Sequence, residues 1–207
     1  MTKTDDWIAQ IVEIEWKMFQ DVPNIGGKAS CQEDPKTFEI NRVSQFMNWS
    51  EAALESYLGD LAEAEKSGRN LLTEKYARMM ELTSPVEYAL IQHLIPPLDP
   101  EVSPLIDQIV DIVLEWEQAL AGKYPYILRR ARPLRSSEDS SFATSLETYL
   151  RGELATYSPG TLRLYHEHLL KQKLDNVNGS EVTLSYMIKR YGFNSLAEAN
   201  ERLRARA

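Results

Sequence analysis

The sequence predicts an all-α protein of about ten helices, because apolar residues recur with the 3.6-residue period of amphipathic helices along nearly the whole chain. Sustained alternation of apolar and polar residues is absent, and so are Val/Ile/Thr-rich runs between turns. Capping residues followed by Pro or by an acidic residue recur between the periodic segments. Strands are therefore not expected.

The first five helices are delimited by capping residues and by residues that break helices. Asp34 precedes Pro35, and Ser84 begins a capping box with Pro at the first helical position. We expect the helices from about Asp5 to Phe19, from the Asp34 cap to near Asn48, from the Ser50 cap to near Gly68, from Asn70 onward, and from Ser84 to Pro96–Pro97.

The second half is predicted to contain five more helices and one long loop. The sixth helix is expected from about Pro104 to Ala121, with Gly122 just past its end. The loop that follows is rich in Arg, Pro and Ser and extends to about Ser140. We expect the last four helices over residues 142–156, 159–174, 181–190 and 196–204.

Several motifs of the first half recur in the same order in the second, which indicates an internal duplication. The offset between matched residues only grows along the chain, as insertions would make it. Chance similarity between amphipathic helices is the alternative. We expect two five-helix units, residues 1–98 and 99–207, related by a pseudo-twofold axis and packed as one domain. The matches include residues 8–14 with 106–112 (offset 98), residues 49–50 with 157–158 (offset 108) and Ser84 with Ser195 (offset 111).

Composition restricts the class of protein. The net charge of −8 disfavours binding to nucleic acid or to an anionic membrane surface. No apolar run approaches the roughly 20 residues that span a bilayer, and the N-terminus lacks the apolar segment of a signal peptide. The single Cys31 excludes an internal disulfide and suits a reducing compartment. We therefore expect a soluble, cytoplasmic protein.

Several segments resemble a known family. They are Asn24–Gly27, Ala29–Gln32, Asn70–Tyr76 and Tyr149–Leu154. With them, nearly the whole chain resembles a bacterial domain-of-unknown-function family, number 4125. Some members also carry a nucleotidyltransferase-like domain, whose Gly-Ser and paired-Asp pattern is missing here. The resemblance implies a bacterial helical protein of uncharacterised activity, and it supplies no catalytic residues.

Two carboxylates lie on helix faces that are otherwise apolar, and they are candidate catalytic residues. A buried carboxylate needs a cation, a metal or a proton. We expect Arg42 to contact Glu15, and Glu153 to lie near the same polar centre. The functional interpretation is an acid–base group or a metal ligand, and the alternative is a structural ion pair. The apolar neighbours are Ile8, Ile11, Val12, Met18 and Phe19 for Glu15, and Leu146, Tyr149, Leu150 and Tyr157 for Glu153.

His166 is the third catalytic candidate, because it lies among leucines at helical spacing. A lone histidine on such a face acts in chemistry or is a satisfied core residue. The Glu-x-x-His pair of helical di-iron proteins is absent, since Arg163 stands where the motif needs a carboxylate. A mononuclear metal site remains open, but no metal or cofactor is identified.

Two loops carry local positive charge on an acidic chain. One contains Gly26, Gly27 and Lys28, and the other has four arginines within seven residues. Glycine amides and cationic side chains near helix N-termini bind phosphate or carboxylate. An ordinary solvated loop is the alternative. The predicted ligand-binding residues are therefore Gly26, Gly27, Lys28, Arg42, Arg129, Arg130, Arg132 and Arg135.

Three functions are compatible with these patterns. The first is a binding or accessory module that holds an anionic or phosphorylated small molecule, or a protein partner, in a cleft between the two helical units. The second is an enzyme with a buried carboxylate/His site, with or without a mononuclear metal. The third is a helical scaffold that acts only in a complex. The sequence alone does not decide whether a reaction is catalysed.

Overall fold

A computed structural model describes residues 2–24, 27–140 and 143–206, which form eleven α-helices. Short 3-10 turns and an isolated bridge between Ser140 and Ala143 are the other regular structure in these residues. The all-α class is thus confirmed. The helices are α1 (Lys3–Gln20), α2 (Pro35–Phe46), α3 (Glu51–Lys66), α4 (Leu71–Thr83), α5 (Pro85–Ile91), α6 (Ser103–Lys123), α7 (Pro125–Leu128), α8 (Leu146–Leu154), α9 (Pro159–Leu174), α10 (Gly179–Arg190) and α11 (Leu196–Arg204).

Side-chain caps begin most of the long helices. The Asp34 carboxylate accepts a hydrogen bond from the amide of Thr37 at 2.9 Å, and the Asn70 side chain accepts one from Thr73 at the same distance. Each cap satisfies one of the amide groups that a helix leaves unpaired at its first turn. The predicted starts of α2, α3 and α4 agree with the structure for this reason.

The predicted long loop before Ser140 contains one more helix than expected. Pro125 occupies the first position of α7, where its missing amide hydrogen costs nothing, and the helix lasts four residues. Amphipathic periodicity cannot reveal so short a helix. The predicted start of the next helix, residue 142, lies outside the described residues; α8 begins after Ser145, which caps it.

Most of the helices pack around one main core to which both halves of the chain contribute. Helix α1 contacts α2, α3 and α4, and α6 contacts α8, α9 and α10. Between the halves, α4 packs on α8, α2 packs on α10, and α3 packs on α9. The main core contains fully buried residues from both halves, among them Ile11, Leu61, Ile109 and Leu162. A second, smaller cluster is formed by Ile188 of α10 with two residues of α11.

Helix α8 crosses α4 at Gly152, where the two helices lie too close together for a larger side chain. A Cβ atom added to Gly152 would lie 2.8 Å from Met79 Cγ and 2.9 Å from the carbonyl oxygen of Lys75. Glycine therefore lets α8 approach α4 closely. This approach places Glu153, the next residue, against α4.

Among the described residues, no helix is both long enough and apolar enough to cross a bilayer.

Candidate functional site

A buried ion pair joins α1 to α2. The carboxylate of Glu15 is completely inaccessible to solvent, and Arg42 is also buried. Arg42 Nε donates to Glu15 Oε2 at 2.6 Å, and Arg42 Nη2 donates to Glu15 Oε1. This two-pronged contact is the geometry in which arginine binds carboxylate most strongly. The hydroxyl of Tyr57 on α3 donates to Glu15 Oε1 at 2.7 Å.

The same arginine reaches a second carboxylate from the other half of the chain. Arg42 Nη1 donates to Glu153 Oε1 at 2.9 Å, and Lys75 Nζ lies 2.5 Å from Glu153 Oε2. Gln45 and Tyr157 also donate to Glu153, at 3.0 and 2.8 Å. We call Glu15, Arg42, Lys75 and Glu153 the buried charge network. It contains two carboxylates and two cations, so its charges balance.

Two opposing effects set the pKa values of the network: burial disfavours the charged form of each group, and the opposite charges nearby favour it. Burial opposes ionisation of Glu153, but the charges of Arg42 and Lys75 outweigh it and hold its pKa far below the ordinary value. Burial lowers the pKa of Lys75 although the charge of Glu153 opposes this. Burial and the nearby Glu15 carboxylate raise the pKa of Tyr57 well above its ordinary value. Glu153 thus remains a carboxylate, with Tyr57 a neutral donor beside Glu15.

The predicted geometry of this centre is confirmed. Glu15 is buried, Arg42 is its partner, and Glu153 lies against the same arginine. Lys75 was not predicted, although Leu71, Leu72 and Met79 lie one turn from it on α4, in the same pattern that marked Glu15. Catalytic roles for Glu15 and Glu153 stay predictions.

The third catalytic candidate lies apart from the buried charge network. His166 is half-buried on α9, and it forms no hydrogen bond or ion pair with Glu15 or Glu153 in the described part of the chain. Burial lowers its pKa. The described residues contain no group of three or more His, Cys, Asp or Glu side chains placed to hold a metal ion. The carboxylates of the network instead bind the cations of Arg42 and Lys75.

Arg42 was also a predicted ligand-binding residue, and its surroundings bear on that role. Its Nη1 donates to Gln45 at 2.7 Å as well as to Glu153, and its guanidinium carbon lies 4.8 Å from the centre of the Phe46 ring. Every guanidinium nitrogen already donates to a protein oxygen. The guanidinium of Arg42 is therefore buried and bonded to protein groups through all three of its nitrogens.

The arginine-rich loop is ordered against the start of α8. Arg132 donates to the carbonyl of Thr144 at 3.2 Å, and its guanidinium lies 4.8 Å from the centre of the Tyr149 ring. Lys75 Nζ lies 3.6 Å from the same ring centre, so Tyr149 separates this loop from the buried charge network. The remaining predicted anion-binding arginines are all exposed: Arg129, Arg130 and Arg135.

The other cationic loop is organised by a buried glutamine. Gln32 donates to the carbonyls of Phe19 and Val22 at 2.6 and 3.1 Å and accepts from the amide of Ala29 at 2.9 Å. Lys28 is exposed and donates to Gln20. Gly27 adopts φ of +104°, a conformation that favours glycine. Gly26, a predicted ligand-binding residue, lies outside the described residues. Among described residues, no hydrogen bond or ion pair joins the two cationic loops.

An apolar groove of about 470 Å³ runs between α1 and α2, and we call it the α1–α2 groove. Trp16 and Phe38 form part of its wall, with ring centres 5.1 Å apart. None of the four charged residues of the buried network lines it. The lining residues are Asp5, Ile8, Ala9, Val12, Glu13, Trp16, Pro35, Phe38, Glu39, Val43, Met47 and Arg190.

The groove has charges at its rim, of which two are unpaired within the described chain. Glu13 forms a 2.7 Å ion pair with Lys17, and Asp5 caps the start of α1 through Thr2. Glu39 and Arg190 have no ion-pair partner among the described residues and are exposed. Arg190, at the end of α10, is the one lining residue that comes from the second half of the chain. No sequence pattern marks Arg190 as a site residue.

Comparison with known proteins identifies a family but no characterised relative. A family model described as "Protein of unknown function (DUF4125)" matches residues 5–201, nearly the whole chain. The resemblance expected from the sequence is thereby confirmed. No curated protein and no solved structure matches the chain.

Proposed function

We propose that this chain, which belongs to the DUF4125 family of unknown function, is a binding module that holds a small amphiphilic acid in the α1–α2 groove. The observation that carries the proposal is an open apolar groove of ligand size with Arg190 at its rim. The guanidinium of Arg190 has no ion-pair partner among the described residues. The buried charge network is assigned a structural role, because its carboxylates and cations already satisfy one another.

The walls of the groove favour an apolar or aromatic ligand body. Ligand sites of about 300–1,000 Å³ are commonly lined by apolar and aromatic side chains with a few polar groups, and the volume of about 470 Å³ lies within that range. Trp16, Phe38 and Met47 supply flat and adaptable surfaces for such a ligand. The ligand body would cover side chains that are now half-buried.

The rim favours an acidic head group placed at Arg190. A free guanidinium matches the two oxygens of a carboxylate or sulfonate. Glu39 opposes an anion, so we assign the head group to Arg190. This arrangement keeps the expected anionic ligand, but it places the ligand in a groove lined mainly by the first unit rather than in a cleft between the two units. It also assigns the cation to Arg190 rather than to the arginine-rich loop.

The charge of the ligand is testable with two naphthylamine dyes. 8-Anilinonaphthalene-1-sulfonate carries a sulfonate, and N-phenyl-1-naphthylamine has a similar apolar body without charge. We expect both to bind, and Arg190→Gln to weaken the sulfonate dye about fivefold while leaving the neutral dye unchanged. Glu39→Gln should strengthen the sulfonate dye. Equal effects of Arg190→Gln on both dyes contradict the assigned head-group site.

The location is testable with a matched pair of variants. Val43→Asp places a charge in the groove, and Val86→Asp places the same charge on the exposed helix α5. We expect dye binding to be lost in the first variant and retained in the second, with the helical circular dichroism of both preserved. Retention in both, or loss only in Val86→Asp, contradicts binding in the groove.

We also propose that the two halves of the chain are an internal duplication, as expected from the sequence. Two N-caps support it. The Asn70 side chain donates to the carbonyl of Met18 at 2.8 Å, and the Asn178 side chain donates to that of Trp116 at 3.1 Å. The caps are offset by 108 residues (178 − 70) and the acceptors by 98 (116 − 18), as in the sequence matches.

Helix contacts support the same relation between units 1–98 and 99–207. Under the proposed correspondence, the contact of α4 with α8 is equivalent to that of α10 with α2, and α3–α9 lies on the pseudo-twofold axis. Asn70→Ala and Asn178→Ala should therefore destabilise the protein by similar amounts, about 1 kcal/mol or more each. Urea unfolding measures both. A large cost for one and none for the other contradicts the equivalence.

A further inference from the structure

Exposed apolar side chains on α5 and at its two ends form a surface that we call the α5 stripe. It consists of Val86 and Leu90 on α5, Leu82 near the end of α4, and Leu94 in the 3-10 turn that follows α5. In chain order, the exposed fractions of Leu82, Val86, Leu90 and Leu94 are 56%, 75%, 72% and 72%. Val86 and Leu90, four residues apart on one helix, share a helix face. Apolar side chains exposed together mark a contact surface more often than scattered ones do.

The stripe is on a helix that is held in place. None of the seven residues of α5 is buried, while Tyr88 and Ile91 are half-buried. Arg78 on α4 donates to the carbonyl of Pro96 at 2.6 Å and fixes the turn that follows. By contrast, α11 buries Leu196 and Ala199 beneath neighbouring side chains. Helix α5 is therefore held in place while the described part of the chain leaves its outer apolar face uncovered.

The exposed charged residues beside the stripe are acidic. From Met79 to Gly122, a run of 44 residues (122 − 79 + 1), the sequence contains no Lys or Arg and has eight acidic residues. Only Asp107 and Glu115 of these form ion pairs within the described residues, with Arg151 and Lys173. Glu81 and Glu87 are exposed beside the stripe and form no ion pair among the described residues, and the cation that interacts electrostatically with Glu81 is the half-buried Arg78 of α4. The surface is thus apolar along its centre and acidic at its sides.

The apolar centre and acidic sides of the α5 stripe favour one class of binding partner over others. Two copies of the α5 stripe would bring acidic flanks together, which like-charge repulsion opposes. An anionic membrane surface is disfavoured for the same reason. An amphipathic helix with a basic border satisfies both the apolar centre and the acidic sides. We propose that the α5 stripe docks an amphipathic helix of a partner protein whose apolar face is bordered by Lys or Arg.

The proposal is independent of the α1–α2 groove, and short synthetic helices test it. One peptide is made of Leu and Lys in amphipathic order, and a second replaces every Lys by Glu. We expect the Leu/Lys peptide to bind the full chain, with affinity falling as salt increases, and the Leu/Glu peptide not to bind. Fluorescence anisotropy of labelled peptide measures both.

Two variants separate docking on the stripe from general attraction to an acidic protein. Leu90→Glu changes the stripe, and Leu174→Glu makes the same change at a residue of α9 that is 83% exposed. Attraction by net charge alone predicts tighter binding of the Leu/Lys peptide to both variants. Docking on the stripe predicts at least about tenfold weaker binding to Leu90→Glu only. Because Leu90 is exposed, circular dichroism should confirm a retained fold.

Several outcomes overturn the proposal. They are unchanged or tighter binding to Leu90→Glu, equal binding of the two peptides, and binding of anionic vesicles that Leu90→Glu abolishes. Self-association of the full chain in sedimentation equilibrium, lost in Leu90→Glu, would assign the stripe to a second copy instead. A monomeric chain that binds the Leu/Lys peptide through Leu90 supports it.

Discussion

Replacing Glu153 by Gln tests the balance of the buried charge network. The side chain keeps its shape, and the amide can still contact Arg42 and Tyr157. Arg42 retains its two contacts with Glu15, but Lys75 loses the one carboxylate with which it pairs among the described residues. The side chains of Lys75 and Glu153 are 3% and 5% exposed, so water does not replace the lost charge.

The expected cost follows from that burial. Removing one partner of a buried ion pair usually costs about 3–5 kcal/mol, because the other charge stays buried without compensation. For a protein of this length, that corresponds to a fall of roughly 6–20 °C in melting temperature. Replacing both partners, as Glu153→Gln with Lys75→Met, removes the uncompensated charge. We expect the double variant to be more stable than Glu153→Gln alone.

The chain offers a matched control. Lys173 Nζ lies 2.5 Å from Glu115 Oε2, the same distance as between Lys75 and Glu153, but these side chains are 47% and 62% exposed. Glu115→Gln should cost less than about 1 kcal/mol. Urea unfolding followed by circular dichroism measures the unchanged chain and all three variants. A cost below about 1 kcal/mol for Glu153→Gln, or a double variant less stable than it, refutes the reasoning.

Two further predictions concern pH and packing. The pKa of Glu153 is lowered in the folded protein, so its contribution to stability is present above its ordinary pKa of 4.5 and is lost as pH falls below that value. Acid titration of the unfolding free energy should therefore be flatter in Glu153→Gln, and parallel curves would contradict the assignment. Gly152→Ala should destabilise by about 1–3 kcal/mol through the clash with α4, whereas Gly59→Ala, which meets no atom within 4 Å, should stabilise α3 by up to about 1 kcal/mol. Thermal melts of the two variants decide this, and equal shifts contradict the close approach of α4 and α8.

The helices and three of the four residues of the buried charge network could be predicted from the sequence for a common reason. Helical periodicity shows which residues share a face, so Glu15, Arg42 and Glu153 could each be placed inside. Lys75 carried the same signal and was overlooked. Periodicity does not show which helices cross, and the contact of Lys75 with Glu153 depends on the α4–α8 crossing that Gly152 permits.

The α1–α2 groove could not be predicted from the sequence, for a different reason. It is lined by α1 and α2 and by the end of α10, so its formation depends on the relative placement of three helices. Arg190 is separated by more than a hundred residues from the other lining residues, so no local pattern marks it. The arginine-rich loop attracted the anion-binding prediction because its charges are adjacent in sequence, and whether it binds an anion remains a prediction.

The most direct test of the division between a structural network and a binding groove is the dissociation constant of 8-anilinonaphthalene-1-sulfonate for three forms of the protein. These are the unchanged chain, the Glu153→Gln/Lys75→Met variant and the Val43→Asp variant, each checked for helical structure. We predict that the network variant binds the dye within about twofold of the unchanged chain and that Val43→Asp binds at least about tenfold more weakly. Loss of binding in the folded network variant, with binding retained in Val43→Asp, would contradict the account.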